Sequence, residues 1–117
     1  LEIRQEVIEQ QKAAYPDLET LRSERSFTRS YNLALTTAHS MGWEITREDP
    51  NAGFIEAVAI TPVMNFRDDV VIRVRTNEQG SLVDLRSVSR VGRSDLGANA
   101  ERIRAFLDAF RDAAAAA

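Results

Sequence analysis

Cysteine is absent from this sequence, and lysine, histidine and tryptophan each occur once, as Lys12, His39 and Trp43. Without cysteine there is no disulfide framework and no thiolate metal site. No apolar run approaches the ~20 residues that a membrane-spanning helix requires. A basic surplus is also missing: the formal charge of −3 argues against a dedicated nucleic-acid binder, while leaving room for a local basic patch. What is present is an ordinary globular composition, 44% hydrophobic and 28% charged, which excludes a disordered chain. The length of 117 residues supports one domain, because two would each be near the lower limit for a self-sufficient core.

Fourteen of the fifteen basic residues are arginine. The planar guanidinium suits carboxylate or phosphate recognition. A genome whose codons favour arginine and alanine produces the same bias. The chain begins at Leu1, without methionine or a signal-peptide pattern, and reads as an excised domain. Its localisation is therefore not legible from its own termini.

Residues 1–14 read as a helical or extended lead, ended by Tyr15-Pro16-Asp17. Leu18 to Glu24 alternates weakly and suits an edge strand. The spacing of Phe27, Tyr31, Ala34, Leu35, Ala38 and Met41 predicts a helix, with Ser26 as its N-cap and Gly42 as its stop. Two hairpins follow. Trp43–Glu48 and Phe54–Ile60 flank Asp49-Pro50-Asn51-Ala52-Gly53; Asp69–Thr76 and Leu82–Arg90 flank the four-residue loop Asn77-Glu78-Gln79-Gly80. A second helix runs from about Leu96 to at least Arg111, with Ala100, Ile103, Leu107 and Phe110 on one face and Phe106 at its border. The expected organisation is a lead at 1–14, one α+β domain at 15–113 and a fraying alanine tail at 114–117. Short connections make the sheet of four to five strands antiparallel, with two main helices packed on one face. This β-α-β-β-β-β-α order is TATA-box-binding-protein-like, a likeness of fold that carries no function.

Alternation also predicts the strand register. Pairing Thr76 with Ser81 sets Val74 opposite Val83, Ile72 opposite Leu85, Arg73 opposite Asp84 and Val71 opposite Arg86. Pairing Glu48 with Phe54 sets Ile45 opposite Ala57. The face turned away from the helices then carries Phe54, Val58, Ile60, Val71, Leu82 and Val88 among arginines and aspartates. That is more apolar surface than a free sheet face leaves to water. It points to a cover or partner, which can be the N-terminal segment, a second copy of the domain (a homodimer mate) or a further portion of the parent chain; the alternative is that arginine stems lie over it.

Signals of chemistry are sparse. His39 has no carboxylate at metal-ligand spacing and reads as a surface or boundary histidine, which removes a Ser/His/Asp triad. Asp68 and Asp69 point to opposite faces of a strand and cannot act as an acid–base pair. Asp69 is expected near Arg86, and Asp68 either inward near Ser89 or bonded to backbone amides of the preceding loop. The densest polar stretch is SVSRVGRSDLGAN, Ser87 to Asn99. Amides at a helix start beside Arg90, Arg93, Ser94, Asp95 and Asn99 suit a small anion. The same residues also suit a tight strand-to-helix turn that satisfies its own backbone. It is no Walker loop, since GxxxxGK[ST] is absent. No cofactor and no metal site are indicated, and nucleic acid is not an expected partner.

The segments FRDDVVIRVR (Phe66 to Arg75) and DLRSVSRVGRSDLGANAERIRAFL (Asp84 to Leu107), with AAYPDLETL and MGWEI before them, resemble the bacterial domain-of-unknown-function 1499 family. The resemblance implies no established activity. It does imply membrane-associated parent proteins, with hydrophobic segments ahead of this domain. Its polar positions are Asp68, Asp69, Arg73, Ser87, Ser89, Arg90, Arg93, Asp95 and Asn99. The expected function is a non-enzymatic binding module for a protein partner or small anion; the alternative is an enzyme acting on a small anionic substrate at the Arg90–Asn99 turn.

Overall fold

The turn signals at Asp49–Gly53 and Asn77–Gly80 both close antiparallel strand pairs, and the remaining elements are arranged around them. The computed structural model describes residues 18–61, 65–89 and 96–116. The lead at 1–14 lies outside the described residues. The elements are β1 (Leu18–Ser23), α1 (Phe27–Ser40), β2 (Glu44–Asp49), β3 (Phe54–Ile60), β4 (Arg67–Asn77), β5 (Gly80–Ser89) and α2 (Leu96–Ala116). They form a five-stranded antiparallel sheet in the order β1-β5-β4-β3-β2, an α+β domain. Among the described residues, no helix is long and apolar enough to cross a membrane.

The β4–β5 register is the expected one at every anticipated pair, from Val71–Arg86 to Thr76–Ser81. Its loop is tighter than expected. Asn77 pairs with Gly80, and Asn77 Oδ1 accepts from the Gln79 amide at 3.1 Å, leaving a two-residue turn. In β2–β3, Ile45 opposes Ala57 as expected, but Glu48 opposes Ile55 rather than Phe54. A bulge at Thr46 inserts one residue and shifts the register. Such an irregularity also makes the outer edge of β2 a poor template for another strand.

One face of the sheet carries Ile55, Ala57, Val70, Ile72, Val74, Val83 and Leu85, all buried beneath the helices. Helix α1 begins at the expected N-cap, Ser26, whose Oγ accepts from the Arg29 amide at 3.3 Å. It buries Tyr31, Ala34 and Ala38, together with Ser30 and Thr37, which the apolar spacing did not mark. Ser30 Oγ lies 2.9 Å from Ser23 Oγ and 2.6 Å from Ser81 Oγ, so hydroxyls from three elements satisfy one another inside the core.

Helix α2 is rotated from the expected orientation. Its buried row is Asn99, Ile103, Phe106, Phe110 and Ala114, while Ala100 and Leu107 are only half-buried. Phe106 is therefore central. Its ring stacks on Trp43, with centroids 5.4 Å apart and an interplanar angle of 9°, and continues to Phe110 at 6.3 Å. The helix runs through Ala116; Ala114 is buried and its carbonyl accepts a hydrogen bond from Arg25 Nη2.

Candidate functional site

The polar residues expected at the strand-to-helix turn divide into three groups. Arg90, Arg93, Ser94 and Asp95 lie outside the described residues. Asp69 and Arg73 point to the outer face of β4. Asp68, Ser87, Ser89 and Asn99 converge on the helix side, where they meet a residue that sequence reasoning missed, Arg102.

The convergence follows from local periodicity. Asp68 is the first inward position of β4, on the same face as Val70, Ile72 and Val74. It sits opposite Ser89, while Ser87 is the next inward position of β5. Asn99 and Arg102 are one turn apart on α2 and overhang this strand end. Asp68 and Ser87 are fully buried, Asn99 is 4% exposed, and the Arg102 side chain is 11% exposed.

A single nitrogen, Arg102 Nη1, lies among three oxygens: Asp68 Oδ2 at 2.9 Å, Asn99 Oδ1 at 2.8 Å and Ser87 Oγ at 3.0 Å. Ser87 Oγ donates to Asn99 Oδ1 at 2.7 Å, and Asn99 Nδ2 donates to Ser89 Oγ at 3.2 Å. The pairing neutralises a carboxylate that would otherwise be costly to bury. It also pins the guanidinium by one corner. Among the described residues, Nε and Nη2 of Arg102 have no partner.

Arg102 forms part of the wall of an open cleft of about 420 Å³. Ala98, Glu101, Arg102 and Ala105 present one face of α2 to it, at helical spacing. The opposite wall is Met41, Gly42 and Trp43, and the floor is Val58, Ala59, Ile60 and Thr61 at the end of β3. Glu44 completes the rim. Trp43 reaches this position through the end of α1. Gly42 adopts φ +78°, its amide donates to His39 O at 3.0 Å, and the Trp43 amide donates to Ala38 O at 3.3 Å. This is a Schellman arrangement, which needs a residue that tolerates the left-handed region at Gly42. His39 itself is exposed in the last turn of α1. Among the described residues, no cluster of metal-ligating side chains occurs.

The outer sheet face is partly screened by its own charges. Arg73 is not ion-paired to Asp84, although the two are opposite in register. Its guanidinium lies over the Phe54 ring instead, 5.3 Å from the centroid. Asp84 is taken by Arg75 Nε at 2.8 Å and by Thr20 Oγ1 at 2.7 Å. An Arg67–Glu44 pair at 3.8 Å spans β3 from β4 to β2. Asp69 and Arg86 occupy diagonal positions on this face, opposite Val88 and Val71 respectively. Of the six outer apolar residues, Val58 is buried, Phe54, Val71 and Leu82 are half-buried, and Ile60 and Val88 are 48% and 38% exposed. Val58 and Ile60 also belong to the cleft, which wraps around the end of β3.

Comparison with known proteins bears on family and fold. No curated protein matches the sequence. Among solved structures, protein MLL2253 from Mesorhizobium loti is similar with a TM-score of 0.62 at 11% identity, covering 82% of this chain and 93% of that one. At that identity the likeness concerns the fold alone. A crystal structure of Ara h 8.0201 aligns over 84% of this chain and 96% of its own, at 8% identity and a TM-score of 0.42, too low to carry an argument. The family model described as "Protein of unknown function (DUF1499)" matches residues 4–110. The chain belongs to the DUF1499 family.

Proposed function

We propose that this domain is a non-enzymatic binding module that holds a small molecule in the cleft between Trp43 and the first turns of α2. The observation that carries this reading is the posture of Arg102. Buried oxygens hold its Nη1 corner, and the same residue lines an open cleft together with Trp43, Val58, Ala59 and Ile60. An arginine fixed in this way is pre-organised, so little side-chain entropy is lost when a ligand oxygen meets its free edge. The cleft volume lies within the range of about 300–1,000 Å³ common for small-molecule sites.

Trp43 is the only tryptophan and lines the cleft, so its fluorescence reports occupancy directly. Titration with small organic acids and carbonyl compounds should give a saturable change in Trp43 emission, together with a rise in melting temperature. A ligand at about a hundred times its dissociation constant adds about 2.7 kcal/mol of stability. If no compound changes either signal, the reading is wrong.

The exposure of Ile60 and Val88 favours a second reading, self-association through the outer sheet face. Light scattering over a concentration series should then show a dimer that Val88→Glu abolishes. A monomer at every concentration removes this reading.

A further inference from the structure

Resting on the cleft reading, we infer that its ligand is a zwitterion: a free α-amino acid with an apolar side chain, its carboxylate on Arg102 and its ammonium at Glu101. The cleft presents groups suited to both charges. Arg102 is already matched by the buried Asp68, so it offers donors without a surplus of positive charge. The rim adds two carboxylates, Glu44 and Glu101. Glu44 is engaged by Arg67 at 3.8 Å, whereas Glu101 has no ion-pair partner among the described residues. A simple anion would reach Arg102 only past uncompensated negative charge. A simple amine would make no use of the Arg102 donors. A molecule carrying both charges on one carbon satisfies both groups, since Glu101 and Arg102 are consecutive on α2 and line the same cleft. Its side chain then lies against Trp43, Val58 and Ile60.

The test compares three probes that share one apolar body: L-leucine, its deaminated analogue 4-methylpentanoate and its decarboxylated analogue 3-methylbutylamine. Each is titrated into the intact domain and followed by Trp43 fluorescence and thermal shift. Leucine should bind at least about tenfold more tightly than either analogue, a difference of about 1.4 kcal/mol. Glu101→Gln, at an exposed helical position that tolerates the change, should weaken leucine about tenfold and leave 4-methylpentanoate unchanged or tighter. If 4-methylpentanoate matches leucine, the zwitterion inference fails and the cleft reading survives as a carboxylate site. If 3-methylbutylamine matches leucine, Arg102 is not the anchor and both readings fail. If none of the three probes binds, the zwitterion inference fails, and the titrations with organic acids and carbonyl compounds decide the cleft reading by themselves.

Discussion

Arg102 Nη1 lies 2.9 Å from Asp68 Oδ2 in the interior of the domain, and this ion pair joins the second helix to the central strand of the sheet. Both groups are largely desolvated, and each helps compensate the charge of the other. Asp68→Ala should destabilise the fold by about 3–5 kcal/mol, because it leaves an arginine buried and unmatched. The double variant Asp68→Leu/Arg102→Met should cost less than Asp68→Ala alone, since both charges leave together. Urea unfolding of both variants gives the comparison. A double variant less stable than the single one would mean that the pair is not the dominant interaction here.

Gly53 tests a different constraint. It adopts φ +84°, and a Cβ at this position would lie 2.4 Å from Val74 O and 2.9 Å from the Phe27 ring. Gly42 has a similar φ of +78° but opens onto free space. Gly42→Ala should therefore cost about 1–2 kcal/mol, the left-handed penalty alone. Gly53→Ala should cost clearly more, because β4 must move away from the turn. Equal losses in chemical denaturation would show that the backbone conformation alone decides.

Tyr31 should make stability fall at alkaline pH. Its hydroxyl donates to Phe54 O at 3.0 Å. Burial, with the nearby Glu48 and Asp49 carboxylates, disfavours the phenolate and raises its pKa above the ordinary tyrosine value, although a backbone hydrogen bond at Asp49 acts in the opposite direction. The folded state thus holds the phenolic proton more tightly than the unfolded chain. That stabilisation is fully present below about pH 10 and is lost as pH rises through the folded value. Tyr31→Phe should lose about 0.5–1.5 kcal/mol near pH 8. Its unfolding free energy should then decline less steeply above about pH 10 than that of the parent. Parallel slopes for the two proteins would assign the alkaline loss to other groups.

The Trp43–Phe106 stack offers a spectroscopic check on how α2 sits. Phe106→Ala should cost about 3–5 kcal/mol and shift Trp43 emission to longer wavelength, because water gains the indole face that Phe106 now covers. Phe106→Leu should keep most of the stability and the blue-shifted emission. Unchanged emission in Phe106→Ala would mean that Trp43 is not shielded by this ring.

Much of the architecture was legible because its signals are local. Ser26 and Gly42 bound α1 because capping depends on a few adjacent backbone groups. The β4–β5 register was readable because a one-residue slip would put Val74 and Ile72 in water. The β2–β3 bulge was not, since Thr46 fits a continuous strand as well as an interrupted one. The facing of α2 was also misjudged. Ala100 and Leu107 match the apolar spacing as well as Asn99 and Phe106 do, and hydrophobicity alone ranks asparagine as the outward residue.

The sequence alone therefore determined an α+β domain with two antiparallel hairpins and the inward position of Asp68 near Ser89, because alternation and turn chemistry act over a few residues. It also carried a trace of the site, in Asn99 and Arg102 one turn apart beside Ile103. Only the tertiary structure decided that Arg102 meets Asp68 and lines a cleft with Trp43. Periodicity specifies which face a side chain takes, but its partner depends on how two distant elements pack. Here that packing is set by the rotation of α2 as Phe106 settles on Trp43.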